Sequence, residues 1–184
     1  MALYEFSFKV QDEREVARSQ AYDLDASYKD LTNVMAEMKG KTIKEARAML
    51  EECISMKKPI RYRKFATRLG HRSQLGGRKG RFPKKEAKIA LTLLRNAEGN
   101  ANFKGLPMEK LVVRQGAAYK QNTMRRYRQH FGSSITLGYG KQALWASYET
   151  CRAELVLAVE SEKYLLKKVK RAKKDEKRAE KAKK

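Results

Sequence analysis

The side chains able to do acid–base, nucleophilic or metal chemistry are few in this sequence and poorly placed for it. His71 and His130 are its only histidines. Neither stands near an acidic or serine partner in triad or metal-ligand spacing. Cys53 and Cys151 lie far apart in different expected elements, so neither a disulfide framework nor a paired metal-ligand spacing is indicated. Carboxylate pairs occur at Glu51–Glu52 and Asp175–Glu176, without a flanking nucleophile or base, and read as solvated faces. The string GGRKGR, residues 76–81, has the glycines of a phosphate-cradling loop. Arg81 and Phe82 follow Gly80, however, where nucleotide-binding spacing requires lysine and a hydroxyl. Neither an enzyme nor a cofactor, metal site or small-molecule substrate is expected.

Cationic chemistry is abundant instead. The 184 residues hold 43 Lys+Arg against 21 Asp+Glu, a formal charge of +22. Such an imbalance repels a compact chain from itself until a polyanion neutralises it, and nucleic acid is the leading partner. The charge is concentrated. Met56 to Lys88 carries 13 Lys/Arg and one acid, with Tyr62, Phe65 and Phe82 interleaved. Phosphate contacts are expected from Lys57, Lys58, Arg61, Arg63, Lys64, Arg68, Arg72, Arg78, Lys79, Arg81, Lys84 and Lys85. Tyr62 and Phe82 could stack on unpaired bases, while Phe65 and Phe82 also read as anchors holding the loop to its body. His71 reads as another loop contact. A second concentration runs from Lys110 to Tyr148, with seven Lys/Arg and no acid. It includes Arg114, Lys120, Arg125, Arg126 and Arg128, with Tyr127, Gln129, His130, Phe131 and Gly132 forming a compact tip suited to phosphate contact and stacking.

These side chains need elements to position them. Alternation at Tyr4, Phe6 and Phe8 suits a short strand or arm, and AYDLDAS, residues 21–27, is a second extended candidate. Ser27 with Asp30 opens a helix whose apolar face is Leu31, Val34, Met35 and Met38, closed by Gly40. Thr42 with Glu45 opens a second, striped by Ile43, Ala46, Leu50, Cys53 and Ile54 until Pro59 forbids continuation. The glycines at 70, 76, 77 and 80 make the basic stretch an irregular connector. Pro83 then leads into a third helix, with Ala90, Leu94, Ala97 and Ala101 facing inward and Gly105 near its end.

LVVRQGAAY (111–119) and AELVLAVE (153–160) are β-prone runs that can pair antiparallel, so the chain between them projects as a ribbon. From Arg114 to a tip near His130 an extended strand spans about 50 Å. The organisation expected is a body over residues 1–160, with the hairpin at about 115–150, followed by a lysine-rich tail, 161–184, with 12 basic and four acidic side chains. That tail is open between a solvated helix and a segment ordering on an anionic surface. Glu5 and Lys9 interrupt the apolar N-terminus, no apolar run reaches bilayer length, and two distant cysteines suit a reducing compartment. A cytosolic chain without a membrane partner is expected. Charge alone equally permits a free RNA- or DNA-binding architectural protein.

Order of elements and several strings narrow this further. GRFPKKEAKIALTLLRNAEGNANFKGL, residues 80–106, and MKKPIRYRKF before it resemble the large-subunit ribosomal protein L-twenty-two family, in the branch shared by archaea and eukaryotes, whose eukaryotic member is called L-seventeen. The resemblance covers roughly Tyr4 to Glu160. It implies an α+β body of three helices on a three-stranded antiparallel sheet built from AYDLDAS, LVVRQGAAY and AELVLAVE, carrying an extended β-hairpin. It further implies a cytoplasmic, ribosomal location, partners in large-subunit ribosomal RNA and neighbouring ribosomal proteins, and a hairpin tip at Arg125–Phe131 lining the nascent-polypeptide exit tunnel. The tip departs from the family pattern: RYRQHFGSS lacks the usual proline and has Ser133 after Gly132.

Overall fold

The computed structural model describes residues 5–9, 15–125 and 147–159. Tyr4, the tip from Arg126 to Gly132 and the tail lie outside the described residues. Strand β1 (Val16–Leu24) leads to helices α1 (Tyr28–Met38) and α2 (Ile43–Ile54). Three short strands follow, β2 (Ile60–Arg61), β3 (His71–Arg72) and β4 (Arg78–Arg81), then the long α3 (Lys84–Phe103). Strands β5 (Leu111–Arg125) and β6 (Ser147–Val159) complete the order.

Both cap signals in the sequence form as hydrogen bonds. The Ser27 side chain accepts from the Asp30 amide, and at α2 the Thr42 hydroxyl and Glu45 carboxylate make both halves of a capping box. The apolar stripes do what their spacing requires. Leu31, Val34, Met35 and Met38 of α1, Ala46, Leu50 and Cys53 of α2, and Ala90, Leu94, Ala97 and Ala101 of α3 are all buried. They pack on an antiparallel sheet of order β1-β6-β5, giving the expected α+β architecture.

In β6, Cys151, Ala153, Leu155 and Leu157 face the helices. In β5, Leu111 and Val113 do the same, and then a bulge at Arg114 shifts the parity. Gly116 and Ala118 therefore continue on the helix side, while Arg114 is extruded into solvent. Gly116 lets β5 approach α1 closely: a Cβ would stand 3.1 Å from the Met35 carbonyl oxygen, tighter than ordinary contact.

Two expectations change and one open alternative is settled. The first strand runs from Val16, so of AYDLDAS only Ala21–Leu24 is strand, and Asp25–Ser27 instead lead into α1. Phe6 and Phe8 belong to an irregular arm rather than a strand. That arm crosses the outer sheet face, where the Ser7 amide and hydroxyl donate to the Glu154 carboxylate at 3.0 and 2.7 Å. The basic connector, finally, is ordered into a second antiparallel sheet of order β2-β4-β3. Its glycines enable this order. Gly76 and Gly77 turn the chain in left-handed conformations, and at Gly80 a Cβ would meet the Ile60 carbonyl oxygen at 2.8 Å.

Candidate nucleic-acid interface

The small sheet puts cations side by side. Directly paired residues of antiparallel strands share a face, so Arg72 stands opposite Arg78, and Arg61, opposite Gly80, lies on the same side. Like charges directly opposite each other destabilise a ladder unless something neutralises them. Arg72 is partly held from within: its guanidinium lies 5.6 Å over the Phe82 ring, and its Nε donates to the Gly80 carbonyl at 3.2 Å. Arg78 has no such partner among the described residues, and an anion between the two would satisfy both.

The loop from β2 to β3 is fastened to α1. Tyr62 is 5% exposed and its hydroxyl donates to Asp30 Oδ1 at 2.8 Å; burial, and then the Asp30 carboxylate, push that hydroxyl's pKa up. Asn33, buried one helical turn on, accepts from the Arg63 and Lys64 amides at 3.0 and 3.1 Å. Its amide nitrogen donates to the Lys64 carbonyl at 3.0 Å and to Lys29 at 2.8 Å. This reverses part of the sequence reading. Tyr62, a stacking candidate, is the anchor, whereas Phe65, read as an anchor, is 47% exposed and meets Tyr28 edge-on with centroids 5.7 Å apart. Phe82 is half-buried beneath Arg72.

The candidate cations divide by what already holds them. Lys58 lies 4.0 Å from Glu52, Arg63 3.8 Å from Glu37, Lys85 2.6 Å from Asp25 and Lys120 2.6 Å from Glu149. These pairs are solvent-accessible, so a phosphate can compete for the cation at small cost. Lys57, Lys64, Arg68, Arg78, Arg81 and Lys84 are exposed and make no ion pair with the described acids. Lys79 and Arg61 are half-buried, and Arg114 is displayed by its bulge. His71 is exposed beside Lys79 in the ladder. Sequence reasoning passed over Lys29, whose Nζ sits 5.8 Å from the centroids of both Tyr28 and Phe65. Its i, i+4 spacing to Asn33 was the available signal.

The ribbon starts where β1 stops. The β1 register with β6 ends at Leu24↔Cys151, while β5 and β6 stay paired out to Arg125↔Ser147. A polar clasp sits at this junction, where β1 and β5 both shift register. The Asp23 amide donates to Gln121 Oε1 at 2.9 Å, Asn122 Nδ2 donates to Asp23 Oδ1 at 3.1 Å, and the Asn122 amide donates to Thr150 Oγ1 at 3.2 Å. Asp23 has φ +48 to reach both strands. Arg125 is the last described strand residue of the outgoing arm.

Neither thiol lies in this surface. Cys53 and Cys151 are buried in the helix–sheet core, and burial pushes both thiols up to about 11, so they stay protonated. Among the described residues no His/Cys/Asp/Glu group has a metal-holding arrangement, and no helix is long and apolar enough to cross a membrane.

A family model described as Ribosomal protein L22p/L17e matches residues 19–134, from within β1 to beyond β5. The large ribosomal subunit protein uL22 of Staphylothermus marinus is 35% identical over 131 residues, covering 69% of this chain and 83% of its own. Its counterparts in Archaeoglobus fulgidus and Thermofilum pendens, with the same shares covered, are 36% and 39% identical over 128 and 127 residues. The chain thus belongs to the ribosomal protein L22p/L17e family, whose members named above are components of the large ribosomal subunit.

Proposed function

We propose that this chain is a structural constituent of the cytoplasmic large ribosomal subunit that binds ribosomal RNA by neutralising its phosphates, supports subunit assembly, and carries its hairpin inward to line the polypeptide exit tunnel. The observation that carries the reading is the Arg61, Arg72 and Arg78 face of the small sheet, where like charges are set opposite each other without an acid between them. Phosphates along a polyanion would relieve that arrangement. Lys57, Lys64, Arg68, Arg81, Lys84 and Lys85 extend the contact, and Arg114 and Lys120 continue it along the ribbon towards Arg125, Arg126 and Arg128. The tip residues Tyr127, Gln129, His130, Phe131 and Gly132 face the nascent chain, and neighbouring ribosomal proteins complete the surroundings. RNA specificity comes from shape and unpaired positions, with base-edge contacts minor.

Replacing Arg61, Arg72 and Arg78 together by Ala should lower the slope of log affinity against log salt by about two to three, each neutralised phosphate contributing roughly 0.7–0.9. The same variant should wash off large subunits in high-salt gradients that retain the unaltered chain. An unchanged slope with full retention would overturn the reading.

A further inference from the structure

We infer that Phe65 is a stacking platform for one unpaired RNA base, presented by a loop that α1 locks into shape; this rests on the RNA-binding reading above. Phe65 and Arg68 both have left-handed backbones, φ +55 and +59, a conformation that bulky side chains rarely adopt. Strain of this kind persists where surrounding bonds over-determine it, and it concentrates at ligand-holding positions. Here the bonds are the three that Asn33 makes to Arg63 and Lys64, just before Phe65, with the Tyr62–Asp30 bond beside them and a fourth Asn33 bond, to the Lys29 carbonyl, fixing the asparagine on α1.

What the lock achieves is exposure. A phenylalanine that served only to anchor the loop would be buried, as Tyr62 is, yet nearly half of Phe65 remains in solvent. Its ring meets Tyr28 edge-on and lies beneath the Lys29 ammonium. The side chains flanking it in the loop, Lys64 and Arg68, are exposed cations. An apolar protein surface would have to desolvate those charges, whereas a nucleotide supplies a π-face for the ring and phosphates for its neighbours. The aromatic face with cations around it is the arrangement that binds single-stranded bases without sequence preference.

The test uses the full-length chain with two labelled octamers, oligoadenylate and an abasic ribose-phosphate of equal length, read by fluorescence anisotropy. The unaltered protein should bind oligoadenylate about tenfold tighter than the abasic octamer, the size of one base–aromatic stack. Phe65→Leu should remove that preference and leave abasic affinity and its salt dependence unchanged, while Phe65→Trp should keep or raise it. A preserved thermal midpoint establishes that the leucine variant is folded. A preference that survives Phe65→Leu, or an equal loss for both octamers, overturns the stacking role while leaving phosphate binding intact. Failure of either octamer to bind in a salt-dependent way sinks the RNA-binding reading itself, and this inference with it.

Discussion

The two sheets are built on opposite physical terms. The large sheet, β1-β6-β5, is long, and its helix-facing side chains are nearly all apolar and fully buried. Burying such residues contributes about 1.5–3 kcal/mol each, so that sheet holds itself together through its core. The small sheet, β2-β4-β3, has strands of two to four residues, mostly cationic and solvated. Strands that short are not stable alone. Its order is borrowed from Ile60 and Tyr62 inserted into the body, from Asn33, and from the close approach at Gly80. A surface this cationic cannot stabilise itself, because its like charges oppose the fold. It must be fastened from behind.

The sharpest way to break that contrast is to weaken each sheet separately. Leu94→Ala removes a fully buried side chain between α3 and the large sheet, and should cost about 2–5 kcal/mol in global stability by denaturant unfolding. A smaller loss with an unchanged m-value would mean that the core does not carry the fold. Gly80→Ala places a methyl 2.8 Å from the Ile60 carbonyl oxygen and against Leu75 Cδ1. Leu75 can swing away but the backbone cannot, so β2 must separate from β4 at a cost of about 1–3 kcal/mol. Hydrogen exchange should quicken at the Tyr62 amide, bonded to Lys79, while amides of β5 and β6 stay protected. Equal acceleration everywhere would show the two sheets to be one cooperative unit.

The smallest effect concerns the Lys85–Asp25 pair, which joins the basic surface to the segment leading out of β1. The Lys85 hydrogen bond, and then that of Tyr148, hold the Asp25 carboxyl below its ordinary value of 3.8. A carboxyl lowered on folding adds stability above that unfolded value, and the increment disappears as pH falls through the folded one. Asp25→Asn should therefore remove the small pH dependence below about pH 4 and lower stability only slightly near neutrality, because the group is solvent-exposed. A large loss at pH 7 would contradict this.

Helices were legible because their signals are local: a serine or threonine three residues before an acid, then an apolar stripe at helical spacing. β1 was misplaced by five residues at its start because nothing in Val16–Gln20 alternates clearly; its pairing with Val156–Ala158 makes it a strand. The small sheet was missed for a related reason. Glycines that read as breakers in one dimension permit close backbone approach in three. Tyr62 and Phe65 exchanged roles because neighbouring aromatics in a basic run look alike until Asp30 and Asn33, thirty residues earlier, decide which one turns inward. The cations themselves were legible as a set. Which of them already hold an acid was not, since Glu37, Glu52 and Asp25 lie in other elements.

The strand order carries a consequence for the time course of synthesis. β6 is the central strand and, among the described residues, the last strand the chain makes. Neither β1 nor β5 has a sheet partner until residues 147–159 have appeared, whereas the arginines of β2 to β4 emerge far earlier. Each newly made copy therefore passes through an interval with its cationic segment already made and its body unclosed, a slow, non-local closure by nature. In that interval any passing polyanion competes with folding, and arrival of the final strand ends the exposure.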